Sequence, residues 1–144
     1  MTQVDFYFNA PDKFQVACRL AGKALQQRQR LLIFAPGEEA ARIDRLLWTW
    51  PAIGFAPHCM TEDPLAPETP VLIARGADGA PECDLLLNLA PEVPPFFERY
   101  ARLLEIVGRD DAERSAGRAR YRRYREAGHP IADHDLAGEA ERGE

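Results

Sequence analysis

The run LLIFA at residues 31–35 is apolar at every position and is cut off by Pro36 and Gly37. Five apolar residues in unbroken sequence leave no polar face. A strand of that kind has to be covered on both sides, which is the condition of a strand inside a parallel sheet. Its flanks fit that condition. Residues 4–8 (VDFYF) are β-branched and aromatic and are bounded by Asn9, Pro11 and Asp12, so they read as a first strand. Over residues 12–29, Phe14, Ala17, Cys18, Ala21, Ala24 and Leu25 recur at three- and four-residue spacing behind Asp12, a good N-cap. Residues 38–48 carry Ala41, Ile43, Leu46 and Leu47 among charges and read as a second helix. Prolines 51, 57, 64, 67 and 70 exclude a long helix from residues 50–70, which reads as a loop with a short strand near Phe55.

Further on, residues 71–74 and 85–89 are strand candidates separated by a Gly-, Ala- and Asp-rich turn at 76–81. Residues 92–104 read as a helix with Pro94 and Pro95 in its first turn, 105–107 as a short strand, and 110–127 as a last helix stopped by Gly128 and Pro130. The expected architecture is a single-domain, three-layer α/β/α sandwich around a mainly parallel, Rossmann-like sheet. It occupies residues 1–128, with 129–144 as an acidic, polar and flexible tail.

Several function classes lose ground on composition. A formal charge of −5 opposes a general nucleic-acid coat, which depends on a broad excess of lysine and arginine. Cys18, Cys59 and Cys83 are odd in number and widely spaced, with no C-x-x-C, so neither a disulfide framework nor a cysteine zinc site is expected. His58, His129 and His134 lack metal-ligand spacing. No stretch approaches the roughly 18 apolar residues of a membrane span, and the opening residues lack the features of a secretion signal. A cytoplasmic protein without membrane contact is expected. The turn after the first strand, NAPDK, has no glycine to admit a pyrophosphate, and APGEEA after the second has one, so neither a dinucleotide fingerprint nor a P-loop is present. No nucleophile, base and acid line up as a catalytic set, and no cofactor is expected.

Against the acidic whole, RSAGRARYRRYR at residues 114–125 holds six arginines and two tyrosines with no acid. Arg114, Arg118 and Arg122 are four apart and share one helix face, with Tyr121 and Arg125 on nearly the same side. Arginine forks onto carboxylate or phosphate and tyrosine offers a flat apolar wall, so this face suits an anion that also has an apolar part. Two other readings stand beside it. The arginines could be a solvated face pairing with the acidic tail and with Asp110, Asp111 and Glu113. They could also line a small groove for single-stranded nucleic acid, for which the acidic remainder is poorly suited.

The FYF strand, RLLIFAPGEEAARIDRLLW, WPAIGFAPH, DLLLNL and RARYRRYREAGH follow one another over nearly the whole length. In that order and spacing the chain resembles the chi subunits of the bacterial DNA polymerase III holoenzyme. The resemblance implies a non-catalytic clamp-loader adaptor that binds the acidic C-terminal tail of single-stranded DNA-binding protein. It further implies a psi subunit as second partner and, in some bacteria, a DNA-repair helicase that competes for chi. It puts tail binding on Arg114, Arg118, Tyr121 and Arg122, to which the shared helix face adds Arg125, with Val107 and the segment from Trp48 to His58, Phe55 included, as apolar neighbours, and no sequence-specific nucleic-acid contact. Trp48 and Trp50 cannot both face the core of one regular helix, so one of them is a candidate wall of the pocket. Phe96 and Phe97 are the candidate psi contacts, with burial in the core as their other reading. Where the family has lysine, this chain has Arg114 and Arg122, and its acidic stretch after Gly128 departs from the family's shorter, less charged end. The alternative is a small α/β nucleotide-binding protein or enzyme with its site at the strand carboxyl ends.

Overall fold

The computed structural model describes residues 1–49, 57–77 and 80–137. Among these residues seven strands form one sheet: β1 (Gln3–Ala10), β2 (Leu31–Phe34), β3 (His58–Met60), β4 (Val71–Ala74), β5 (Leu85–Asn88), β6 (Arg102–Gly108) and β7 (Ile131–Asp135). Their order is β3-β4-β2-β5-β6-β1-β7, and every described pairing is parallel. The helices are α1 (Lys13–Gln26), α2 (Glu39–Thr49) and α3 (Asp111–Glu126).

The central strands β2, β4 and β5 are buried at every position; LLIF and VLIA are apolar throughout, and β5 ends in Asn88, whose side-chain amide donates to the Glu105 carboxylate. Alternate residues feed two cores. Leu31, Ile33, Ile73, Leu87 and Ile106 face α1 and α2, meeting Phe14, Ala17, Ala21 and Ile43. Leu32, Phe34, Leu86, Leu103 and Val107 face the other way, toward Tyr124 of α3 and toward Phe96 and Phe97. Among the described residues the three layers are thus α1 and α2, the sheet, and α3 with the short 3-10 turns at Ala66–Glu68 and Phe97–Arg99. Asp12 caps α1 as expected, its carboxylate accepting from the amides of Phe14 and Gln15.

Three sequence expectations are corrected. Residues 92–104 do not form an α-helix. Phe97–Arg99 is a single 3-10 turn, and the chain is already extended at Arg102. Pro94 and Pro95 restrict the start, and Leu103 and Leu104 enter opposite cores, an alternation only a strand gives. Phe96 and Phe97 are both buried, so they belong to the core and offer no exposed apolar surface. The stretch after Gly128 does not begin as a loose tail, because β7 pairs with β1 from Val4↔Ile131 to Phe8↔Asp135. Side chains hold it there. Asp5 accepts from Arg102 Nε at 2.7 Å on one side and lies 3.1 Å from His134 Nε2 on the other, His134 stacks on Tyr7, and Leu136 is buried. The short strand expected near Phe55 falls outside the described residues, as does Trp50; the nearest described strand is β3.

Strand β1 leads through α1 on one face of the sheet, while its neighbour β6 leads through α3 on the other. Connections that diverge from adjacent parallel strands leave a crevice beyond their carboxyl ends, the usual ligand position in such folds.

Candidate functional site

Helix α3 forms one wall of that crevice. Asp110 caps it, accepting from the Glu113 amide at 2.8 Å, and Asp111 and Glu113 suit its positive end. Its buried stripe is Gly117, Arg120 and Tyr124. Gly117 lets the helix sit directly on β6: a Cβ there would lie 2.7 Å from Val107 Cγ2 and 3.0 Å from Cγ1.

Below the stripe lies a closed polar network. Glu105, fully buried in the middle of β6, accepts from Arg120 Nε at 3.0 Å, from the Tyr124 hydroxyl at 2.6 Å and from Asn88 Nδ2 at 2.9 Å. Arg120 also donates to the Pro91 carbonyl at 2.8 Å. Burial pushes the Glu105 carboxyl upward, opposed by the Arg120 guanidinium and the two hydrogen bonds; burial and Glu105 together push the Tyr124 hydroxyl upward. With its partners satisfied, the network fixes the position of α3 along β6.

On the outer side of α3, Arg114, Arg118, Arg122 and Arg125 are exposed, and none has an ion pair among the described residues. Two adjoining hollows lie along this face. The first, about 400 Å³, is lined by Arg114 and Arg118 over Phe8, Asn9, Val107 and Gly108, with Asp135 at its margin. The second, about 290 Å³, is lined by Phe8, Arg118, Tyr121, Arg122 and Arg125. Phe8 and Arg118 belong to both. The Tyr121 ring lies 5.0 Å from Phe6 and 6.2 Å from Phe8, and its hydroxyl is 3.3 Å from Asp133 Oδ2. Burial and that carboxylate raise its pKa, so it stays a neutral wall. Asn9, at a φ of 60°, donates to Asp135 Oδ1 at 2.8 Å and ties β7 to the lip of the first hollow. The result is a cationic rim over an aromatic and aliphatic floor.

The structure brings together Arg114, Arg118, Tyr121, Arg122, Arg125 and Val107. It does not bring Trp48 to them. Trp48 is 54% exposed at the end of α2 and packs its ring 4.5 Å from His58 on β3. Strand β3 is four strand spacings from β6, roughly 19 Å away. Phe55 falls outside the described residues. Phe8, central to both hollows, was not singled out from sequence, nor were Glu105 and Arg120. Their signals were present: a lone acid inside LLEIV, and Gly117, Arg120 and Tyr124 at three- and four-residue spacing. Among the described residues no group of three or more His, Cys, Asp or Glu side chains could hold a metal, and no helix is long and apolar enough to cross a membrane.

Fold and site together define a parallel α/β protein with a basic, apolar-floored cleft at its switch point. The family model described as "DNA polymerase III chi subunit, HolC" matches residues 1–132. A DNA polymerase III subunit chi of Pseudomonas aeruginosa PAO1 is 37% identical over 141 residues, covering 94% of this chain and 98% of the relative. The subunit chi of Haemophilus influenzae is 31% identical over 77% of this chain and 78% of its own length, and that of Escherichia coli K12 is 29% identical over 79% of each. The chain belongs to the DNA polymerase III chi subunit family. Among solved structures, the C-terminal domain of the DEAD-box protein Dbp5 superposes with a TM-score of 0.64 at 14% identity, covering 94% of this chain and 91% of that one. A complex of S. cerevisiae Dbp5 with Nup159 and Gle1 gives 0.65 at 14% identity over 95% of this chain and 42% of that chain. Those likenesses are of fold alone.

Proposed function

We propose that this protein is a non-catalytic adaptor of the clamp loader, and that its α3 cleft binds the acidic C-terminal tail of single-stranded DNA-binding protein. The observation that carries the reading is the pair of adjoining hollows in which exposed arginines rim the apolar floor of Phe8 and Val107. A peptide of aspartates followed by an apolar pair and a terminal carboxylate matches that surface in both respects. Arg118, shared by the two hollows, forks onto the terminal carboxylate. Arg114 and Arg122 draw in the aspartates, Val107 and Phe8 seat the phenylalanine ring, and Tyr121 walls it. The long-range part of the attraction is screened over about 10 Å at 0.1 M salt, so affinity falls as salt rises.

A psi subunit, a competing helicase and a cytoplasmic location belong to the same proposal, resting on family membership. Phe96 and Phe97 are buried and expose little apolar surface to such a partner. The rival reading, a nucleotide-binding protein or enzyme at the strand carboxyl ends, draws on the position of the cleft, yet the β1 turn offers no glycine for a phosphate.

The test is fluorescence anisotropy of a labelled acidic peptide ending in Asp-Ile-Pro-Phe. Salt-sensitive binding that is largely lost in Arg118→Ala, with the melting temperature unchanged, is expected. A folded wild-type protein that ignores the peptide but gains thermal stability with a nucleotide would replace this reading with its rival.

A further inference from the structure

The strand that borders the cleft also delivers the chain to its mouth. Asp135, at the end of β7, is in register with Phe8 and lines the first hollow. The next residue is anchored: the Leu136 amide donates to the Phe8 carbonyl at 2.9 Å and its side chain is buried, while the Ala137 amide turns back to Asp135 Oδ1 at 3.0 Å. The described chain therefore stops at the lip of the basic cleft. Residues 138–144 read GEAERGE, three glutamates against one arginine.

We propose that residues 138–144 dock in cis along the Arg114–Arg118 face and compete there with the acidic partner peptide. The competition rests on the function proposed above; the intramolecular contact does not. Charge and reach both favour it. The four arginines of this face have no ion pair among the described residues. Seven extended residues span up to roughly 25 Å, whereas α3 from Arg114 to Arg125 is about 16 Å long. The segment's three glutamates supply carboxylates for those guanidiniums. Because the segment is tethered at the lip, its effective concentration is on the order of millimolar. Even a weak intrinsic affinity then occupies the cleft for much of the time. The segment has no aromatic residue for the apolar floor, so a peptide ending in phenylalanine displaces it.

The experiment compares three proteins: the full chain, the chain ended after Ala137, and the full chain carrying Glu139→Gln, Glu141→Gln and Glu144→Gln. Arginine Nε–Hε NMR signals are recorded without peptide, and the affinity for the Asp-Ile-Pro-Phe peptide is measured at low and high salt. The Arg114 and Arg118 signals should move in both variants, independently of protein concentration. Peptide affinity should rise about threefold or more at low salt, a gap that closes as salt screens the contact. Identical signals in the three proteins overturn the proposal. So do shifts that scale with protein concentration, which assign the segment to a second copy. Moved signals with equal peptide affinities remove the competition. Moved signals where no variant binds peptide leave the contact standing and remove the partner function.

Discussion

Replacing Gly117 by alanine tests how closely α3 must lie on the sheet. The new methyl would meet Val107 Cγ2 at 2.7 Å and Cγ1 at 3.0 Å, against the roughly 3.5–4.0 Å at which carbon atoms pack best. Valine cannot turn out of the way. Both of its methyls now face the helix, and any staggered rotation leaves at least one of those two positions filled. Val107 is itself buried, so the helix must retreat. Overpacking of this kind costs about 1–3 kcal/mol, while alanine in a helix interior returns about 1 kcal/mol relative to glycine. The expected net effect is a loss of about 1 kcal/mol, within a range of about 0–2. For a chain of this size that lowers the melting temperature by about 3–5 °C per kcal/mol. Urea unfolding followed by far-ultraviolet circular dichroism would read it as a lower midpoint at constant slope. In a Val107→Ala background the same substitution should become neutral or stabilising, a coupling that isolates the contact. A single variant about 1 kcal/mol more stable than wild type would mean that helix propensity acts alone, and that the close approach is not there.

Three further outcomes follow from the same structure. Arg120→Ala strands a buried carboxylate and should cost about 3–5 kcal/mol, whereas Arg123→Ala on the exposed face should stay within about 0.5 kcal/mol; equal effects in urea unfolding would refute the Glu105 network. Asp135 is held below its ordinary 3.8 by hydrogen bonds, first from Asn9 and then from the Ala137 amide. Its contribution to stability is therefore present above the unfolded value and is lost as pH falls through the lower folded one. Asn9→Gly, which keeps the left-handed backbone available, should move the Asp135 midpoint up toward 3.8 in a carboxyl NMR titration, and an unmoved midpoint would refute the tie. The Cys18 thiol, pushed up to about 11 by burial and then by Asp12, should resist a thiol reagent at pH 8 until the protein is denatured; labelling of Cys18 in the native state would contradict its placement.

The sheet's central strands were legible because LLIF, VLIA and LLLN admit no exposed face, and α1 and α3 because caps and periodicity agreed. Residues 92–104 were misread because Phe96, Phe97, Tyr100 and Leu104 mimic helical spacing, while the alternation of Leu103 and Leu104 between opposite cores is a property of the sheet. Strand β7 was hidden for a related reason. IADHD is too polar to announce itself, and it is held by partners from β1, about 130 positions earlier in sequence. At the site, the four-residue spacing of Arg114, Arg118 and Arg122 located the rim. The floor was not visible, because Phe8 reaches it only through the pairing of β1 with β6.

Strand β1 leaves the ribosome before the other described strands and is among the last of them to find its place. Its neighbours are β6 and β7, in registers that join Gln3 to Arg102 and Val4 to Ile131. Both sides of the cleft floor therefore wait for chain that has not yet been made, and closing loops of that length is entropically slow. The central strands β2, β4 and β5 can associate early, whereas the Phe8 floor cannot form until β6 has been made. The cleft beside α3 should take its final form in one late step, as β7 pairs with β1 at the edge of the sheet.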